Sequence, residues 1–339
     1  MRKYLLPKDG NFYKANLHTH TTVSDGVLTP LEVKNVYKSK GYNVVAYSDH
    51  EIMVPHPELD DDEFLSITST EISINERRNC DFVFTKTYHL NFLSKDPSKS
   101  TFSSFDKTVL WLQSTYDNID PMQWETQYDR VYSIDCINEM INMANEEGCL
   151  VSLNHPVWSL QDYSDYIGLK GLWGVEWHNT GCVNAGYFDT INPIDDLLRV
   201  GENVYPLATD DSHKLADCFG GFVMIKAKEL KYDQIFEALR IGDFYSTQGP
   251  LIEELFIEDG IIHIKTSGVK KIYINCDKRY TYPITAREGE ILTDVDFDIN
   301  WYFEHCDESI IKHQYIRITL IDEQGLVAHT RAYFLNELL

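Results

Sequence analysis

Short apolar runs and amphipathic stretches take turns along most of the chain, the pattern of strands alternating with helices. The run at 43–48 reads as a buried strand, and those at 64–73, 86–93, 150–154, 174–177, 203–208 and 221–225 as further strands. The helices announce their own ends. Thr29 is an N-cap, Pro30 the first helical residue and Glu32 the partner of a capping box. Leu31, Val36 and Tyr37 give that helix an apolar face, and Gly41 closes it. Ile137, Met140, Ile141 and Ala144 share one face of a helix over 134–147, with Gly148 after it. Shorter helices are predicted at 193–200, closed by Gly201, and at 232–241, closed by Gly242. An opening strand carries His18 and His20. The stretch at about 94–130 has weak periodicity and reads as an insertion lying over the site that the strand ends form.

Beyond Gln248-Gly249-Pro250 the pattern changes to short strands and turns, at 255–258, 261–266, 271–275, 316–321 and 327–332, with Asp259-Gly260 as a hairpin signal. The chain therefore divides into an α/β domain at 1–248 and a small β-sandwich module at 249–339.

Charge narrows the partners. Lys and Arg number 30 against 53 Asp and Glu, a formal charge of −23. That balance disfavours broad binding to nucleic acid or to an anionic membrane. The seven cysteines are scattered, with no C-x-x-C pair, and read as reduced thiols of a cytoplasmic protein. The first residues start like a signal peptide but break at Pro7 and turn polar, so neither a signal peptide nor a membrane span is expected.

The chemistry lies at the strand ends. Side chains two apart on a strand share a face, so His18 and His20 point the same way, and Asp25 follows on a short loop. Paired imidazoles have little use in an apolar core and good use as ligands of one metal ion. His50, His89, His155, His178 and His213 also fall at or near strand ends, with Glu71, Glu176 and Asp211 in comparable places. In a β/α barrel such ends converge on one mouth. His56, His263, His305, His313 and His329 show no such placement. Imidazole and carboxylate without thiolate suit zinc, manganese or iron, and the number of candidates exceeds what one ion can take. Two or three divalent ions are expected, a cluster suited to hydrolysis.

With these residues in view, the sequence resembles the PHP (polymerase and histidinol phosphatase) superfamily, in its carbamate-hydrolase-like branch with a C-terminal β module. The elements that carry the resemblance are L-H-T-H-T-T-V-S-D-G at 17–26, S-D-H-E at 48–51, T-E-I-S at 70–73, Y-H-L at 88–90, N-H-P at 154–156, V-E at 175–176 and D-S-H at 211–213. The resemblance implies a distorted (β/α)7 TIM-like barrel followed by the β-sandwich module. It implies that His18, His20 and Glu71, with Asp211, hold one ion. Glu71 would bridge to a second held with His89 and His155, and Asp25, His50 and His213 would hold a third. Asp210 is the alternative to Asp211. Glu176 and His178 fall on a pocket-lining strand end, with positioning or substrate-binding roles. The amidohydrolase superfamily shares the H-x-H opening, but it typically needs a strand lysine where this chain has Glu71, and a lone late Asp where this chain has D-x-H.

The expected activity is a metal-dependent phosphoesterase acting on a small phosphorylated molecule, with metal-activated hydroxide and no protein nucleophile. Phosphate needs cationic partners, for which Arg77, Arg78, Lys86 and Lys214 are candidates by position. The alternative is hydrolysis of a carbamate, amide or neutral ester, suggested by Trp111, Tyr116, Trp124 and Tyr128 in the insertion. A further alternative is a non-catalytic metal-binding protein.

Overall fold

The computed structural model describes residues 2–77, 82–304 and 313–338. Arg78, Cys80, His305 and Cys306 lie outside the described residues. After the short β1 (Lys3–Tyr4), one wall is built in chain order from β2 (Asn11–Asn16), β3 (Val44–Tyr47), β4 (Leu65–Asn75), β5 (Thr87–Ser94), β6 (Cys149–Leu153), β7 (Gly174–Asn179) and β8 (Tyr205–Thr209). The wall curls back on itself. Just past β8, Asp211 N–H donates to His18 O and His20 N–H donates to Ser212 O, each at 3.0 Å. Thr19 and Ser212 form a parallel bridge at this seam.

One strand departs from a regular β/α alternation. β5 runs antiparallel to both β4 and β6, whereas β2–β3, β3–β4, β6–β7 and β7–β8 are parallel. Among the described residues no α-helix joins β4 to β5, and an antiparallel neighbour needs no crossover helix. Reversal has a consequence for the site. His89 lies near the start of β5, opposite Ser73 of β4, so it reaches the same end of the barrel as the C-terminal ends of the parallel strands.

The helices around this wall are α1 (Pro30–Lys38), α2 (Gln113–Asn118), α3 (Ile134–Glu146), α4 (Tyr163–Tyr166), α5 (Thr180–Asn184), α6 (Asn192–Arg199) and α7 (Tyr232–Ile241). The Thr29–Glu32 capping box forms, and Gly242 ends α7 in the left-handed conformation. α3 buries Ile137, Met140, Ile141 and Ala144 in one core with Leu90, Val151 and Val175. The 94–130 stretch contributes Phe102, Phe105 and Ile119 to that core.

β9 (Phe222–Ala227) pairs with β2 and with β10 (Phe244–Thr247), both antiparallel. The rest of the chain adds β11 (Ile252–Glu258), β12 (Ile261–Val269), β13 (Lys271–Cys276), β14 (Thr281–Thr285), β15 (Leu292–Asp298), β16 (Tyr315–Ile321), β17 (Val327–Thr330) and β18 (Tyr333–Phe334). β17 hydrogen-bonds to β10, so one mixed sheet runs from the barrel into the later strands. A separate antiparallel sheet, β1-β11-β12-β15, packs against it through Leu255, Ile262, Ile272, Phe297 and Ile318. The molecule is a mixed α/β protein with a large mixed sheet and a second, antiparallel one. No helix among the described residues is long and apolar enough to cross a membrane.

Candidate metal centre

β2 stops at Asn16, so His18 and His20 stand just beyond the strand in which the sequence pattern places them. The Thr19–Ser212 bridge keeps this segment on the wall, and both imidazoles are buried at the barrel mouth. Three overlapping groups of ligand-type atoms meet there: His18, His20, Glu71 and Asp211; Glu71, His89 and His155; and His20, Asp25, His50 and His213.

In the first group His18 Nε2 lies 3.1 Å from His20 Nε2 and 3.3 Å from Glu71 Oε1 and Asp211 Oδ1. His20 Nε2 is 3.0 Å from Asp211 Oδ1. In the second, Glu71 Oε1 is 3.1 Å from His89 Nδ1 and 3.3 Å from His155 Nε2. In the third, Asp25 lies 3.4 Å from His213 Nε2, 3.6 Å from His50 Nε2 and 3.9 Å from His20 Nδ1. His20 touches two groups, but a neutral imidazole has one lone pair. The shorter distances belong to its Nε2 and favour the first group.

Divalent ions fit these residues. Ligands about 2.1 Å from a zinc-like ion stand roughly 3 Å from one another, which is the spacing seen. His20 Nδ1, His89 Nδ1 and Asp211 Oδ1 are buried and make no hydrogen bond of good geometry. Nitrogen and carboxylate oxygen without sulfur suit zinc, manganese or iron.

The electrostatics favour positive charge at the centre. Burial opposes charge on His18 and His20, but Asp211 and Glu71 outweigh it, pushing His18 well up and His20 to about 10. Burial likewise opposes charge on Glu71, yet His89 and His18 hold it well below the usual carboxylate range. Asp211 is held down in the same way by His18 and His20. His50 is pushed down to about 3 by burial and by His20.

Residues to which the sequence alone assigns no role hold the candidate ligands in place. Asn154 donates to Glu71 Oε1 at 2.7 Å. Asp49 accepts from Thr21 and Ser24, backbone and hydroxyl of each, and so fixes the loop that carries Asp25. Gly26 ends that loop where a Cβ would lie 2.5 Å from the His20 carbonyl, too close for any side chain. Arg130, buried at the end of the 94–130 stretch, pairs with Glu51 at 2.7 Å. Glu51 in turn accepts from Ser73 N–H on β4. Asn, Asp and Arg are common in loops, so nothing in their types marks them; Asp49 and Asn154 stand inside the S-D-H-E and N-H-P strings, and Arg130 has no such signal.

Asp210 and Asp211 part company. Asp210 accepts from Tyr37, Thr180 and the backbone N–H groups of Phe219, Gly220 and Gly221, all away from the ligand groups. Asp211, at φ +49°, turns into the first group. Glu176 is buried and fully engaged with the protein: Oε1 meets His18 Nδ1 at 2.7 Å and accepts from Thr209, while Oε2 accepts from His155 N–H and Asn179. Both of its oxygens thus have protein partners. His178 stands apart from the ligand groups, 2.8 Å from Asp189. Arg77 is exposed beside Glu76, and Lys214 is exposed on the loop after His213. Lys86 is taken by Asp162 and Asp165. Among the described residues, Asp25, Glu71, Glu176 and Asp211 form ion pairs only with histidines. Of the four aromatics in the insertion, Trp111 reaches the mouth, its ring 6.4 Å from that of His50. Tyr116 and Trp124 stack on each other, and Tyr128 donates to Glu139.

Fold and site together define an α/β barrel protein with a candidate multi-metal centre. No protein-family model matches the chain, and no curated protein matches it in sequence. Among solved structures it is similar to a two-domain protein from Bacteroides vulgatus containing a predicted PHP-like metal-dependent phosphoesterase, at 13% identity over 98% of each chain, with a TM-score of 0.46. It is also similar to an amidohydrolase from Chromobacterium violaceum, at 12% identity over 60% of this chain and 88% of that one, TM-score 0.38. A lesion-specific endonuclease from Pyrococcus furiosus is similar at 14% identity over 88% of this chain and 72% of that one, TM-score 0.39.

Proposed function

We propose that the chain is a metal-dependent phosphoesterase that hydrolyses a small phosphorylated molecule at a centre of three divalent ions. The observation that carries this reading is the sorting of His18, His20, Asp25, His50, Glu71, His89, His155, Asp211 and His213 into three groups, the first joined to the second by Glu71 and to the third by His20. Three divalent ions would bring six positive charges against the three carboxylates of those groups. The surplus is a binding site for a phosphate dianion that needs no lysine or arginine. Divalent ions so held lower the pKa of water and neutralise charge on phosphoryl oxygens. The chain's own residues prepare that site. Glu176 keeps a proton on His18 Nδ1, because a carboxylate can only accept, and leaves Nε2 to the ion. Asn154 orients the shared Glu71. The test is hydrolysis of an aryl phosphate by protein reconstituted with Mn²⁺, Zn²⁺ or Fe²⁺; a fully loaded protein without activity counts against the reading.

A second reading keeps the centre and changes the substrate to a carbamate, amide or neutral ester. It draws on the lack of Lys or Arg ion pairs at the centre among the described residues, and on Trp111 beside His50. Aryl phosphate, carbamate and acetate with one shared leaving group separate the readings by their relative kcat/KM. The charge of −23 leaves nucleic acid an unsuitable partner on either.

A further inference from the structure

A shallow cleft, enclosing only about 20 Å³ and otherwise open to solvent, lies beside the second ligand group, and His155 of that group forms part of its lining. The lining includes the apolar side chains of Trp158, Val183, Tyr187 and Phe188. Trp158 stands over the ligands themselves, its ring 5.3 Å from that of His89 and 5.0 Å from that of His155. Phe188 is 86% exposed, the most exposed large apolar side chain among the described residues. Such a ring beside a polar centre is surface available to a ligand.

The charge of the lining is one-sided. It contains no Lys or Arg, and its carboxylates are Glu176 and Asp189. Glu176 is engaged with His18, His155, Thr209 and Asn179. Asp189 keeps its position through Oδ2, which lies 2.8 Å from His178 Nδ1 and accepts from Gln248 at 2.9 Å. Gln248 is itself tied down, since its backbone N–H donates to Val327 O and its Oε1 accepts from Val327 N–H. The later strands therefore fix the wall of a cleft that begins at a ligand of the barrel.

We infer that this cleft is the leaving-group subsite, and that the substrate is a small ester whose departing group is uncharged and apolar, an aromatic ring above all. A departing group bearing a carboxylate or a second phosphate meets Asp189, and the lining offers no Lys or Arg to answer it. In the hydrolysis proposed above, on which this inference rests, a P–O bond forms to water and the ester P–O bond breaks. The departing oxygen takes up a proton from that water, and the exposed apolar rim of the cleft, Phe188 above all, covers the carbon body attached to it.

Inert phosphonates test the subsite by binding alone. Calorimetric titration of Mn²⁺-loaded protein with benzylphosphonate, 4-carboxybenzylphosphonate and methylphosphonate is expected to show the benzyl compound binding about tenfold more tightly than the methyl one. The carboxylated compound is expected to lose that advantage. Phe188→Ala, at an exposed position, is expected to bring the benzyl-to-methyl ratio close to one, and Asp189→Asn to narrow the gap to the carboxylated probe. Equal affinities for benzyl and methyl, or a ratio that Phe188→Ala leaves intact, overturns the subsite while phosphate binding stands. If no phosphonate binds, the phosphate reading falls instead. The subsite is then judged by hydrolysis of benzyl against methyl carbamates: a preference that Phe188→Ala removes supports it, and no such preference overturns it.

Discussion

Glu176 decides which nitrogen of His18 faces the ligand groups. With Oε1 at 2.7 Å from Nδ1, a proton is held there, and once the Nε2 proton leaves on metal binding that nitrogen would offer its lone pair to the centre. Glu176→Gln keeps the volume and removes the charge that holds the ring. Chelator competition is expected to show metal affinity about tenfold weaker or more, with the fold intact by circular dichroism. The same residues set how the metal-free protein responds to pH. Glu71 and Asp211 are held below their ordinary values, so what they contribute is full above about pH 4 and is lost as the pH falls through their lowered values. His20 is raised to about 10, so its contribution is full below about pH 6.5 and is lost as the pH rises through about 10. Urea midpoints of metal-free protein are expected to be highest near neutrality and lower at both pH 3 and pH 10; a flat profile would contradict the proposed pairing of these groups.

At the scale of elements, the parts with strong local signals are legible in the amino-acid sequence. Thr29-Pro30-Leu31-Glu32 states its own helix start, and the apolar face of α3 follows from spacing alone. The reversal of β5 is not legible there, because periodicity marks a strand and says nothing about its direction. β14 and β15 escape the hydrophobic pattern for a different reason. Thr281–Thr285 and Leu292–Asp298 leave much of their length exposed, so polar residues replace the apolar run that betrays a buried strand. The 94–130 stretch, which reads as an insertion, is also a structural part of the barrel, through Arg130. That guanidinium and Glu51 are 1% and 3% exposed, and Glu51 adopts φ +63°. Arg130→Met strands a buried carboxylate and is expected to cost about 3 kcal/mol or more in urea denaturation. A change under about 1 kcal/mol would show that water reaches Glu51 in solution.

For the whole molecule, residues from six strand ends and their following loops meet at one mouth, which is why short strings scattered over 200 positions can be read as one site. Their capacity to ligate a metal is visible in residue type; the support from Asn154, Asp49 and Arg130 is not, since it depends on which loops the barrel brings together. The later strands are joined to this arrangement by more than sequence. β10 pairs with β17, Trp177 Nε1 donates to Ser246 Oγ, and Arg317 meets Asp195 of α6 at 2.7 Å. A strand that carries Glu176 toward the ligands thus also carries Trp177 and His178 toward the junction. The central claim, that these groups form one multi-metal centre, is tested most directly by elemental analysis of the purified full chain after saturation with Mn²⁺ or Zn²⁺ and removal of loose metal. Three ions per chain is the expected result, falling by one in Asp25→Ala. One ion or none per chain in the saturated protein would contradict it.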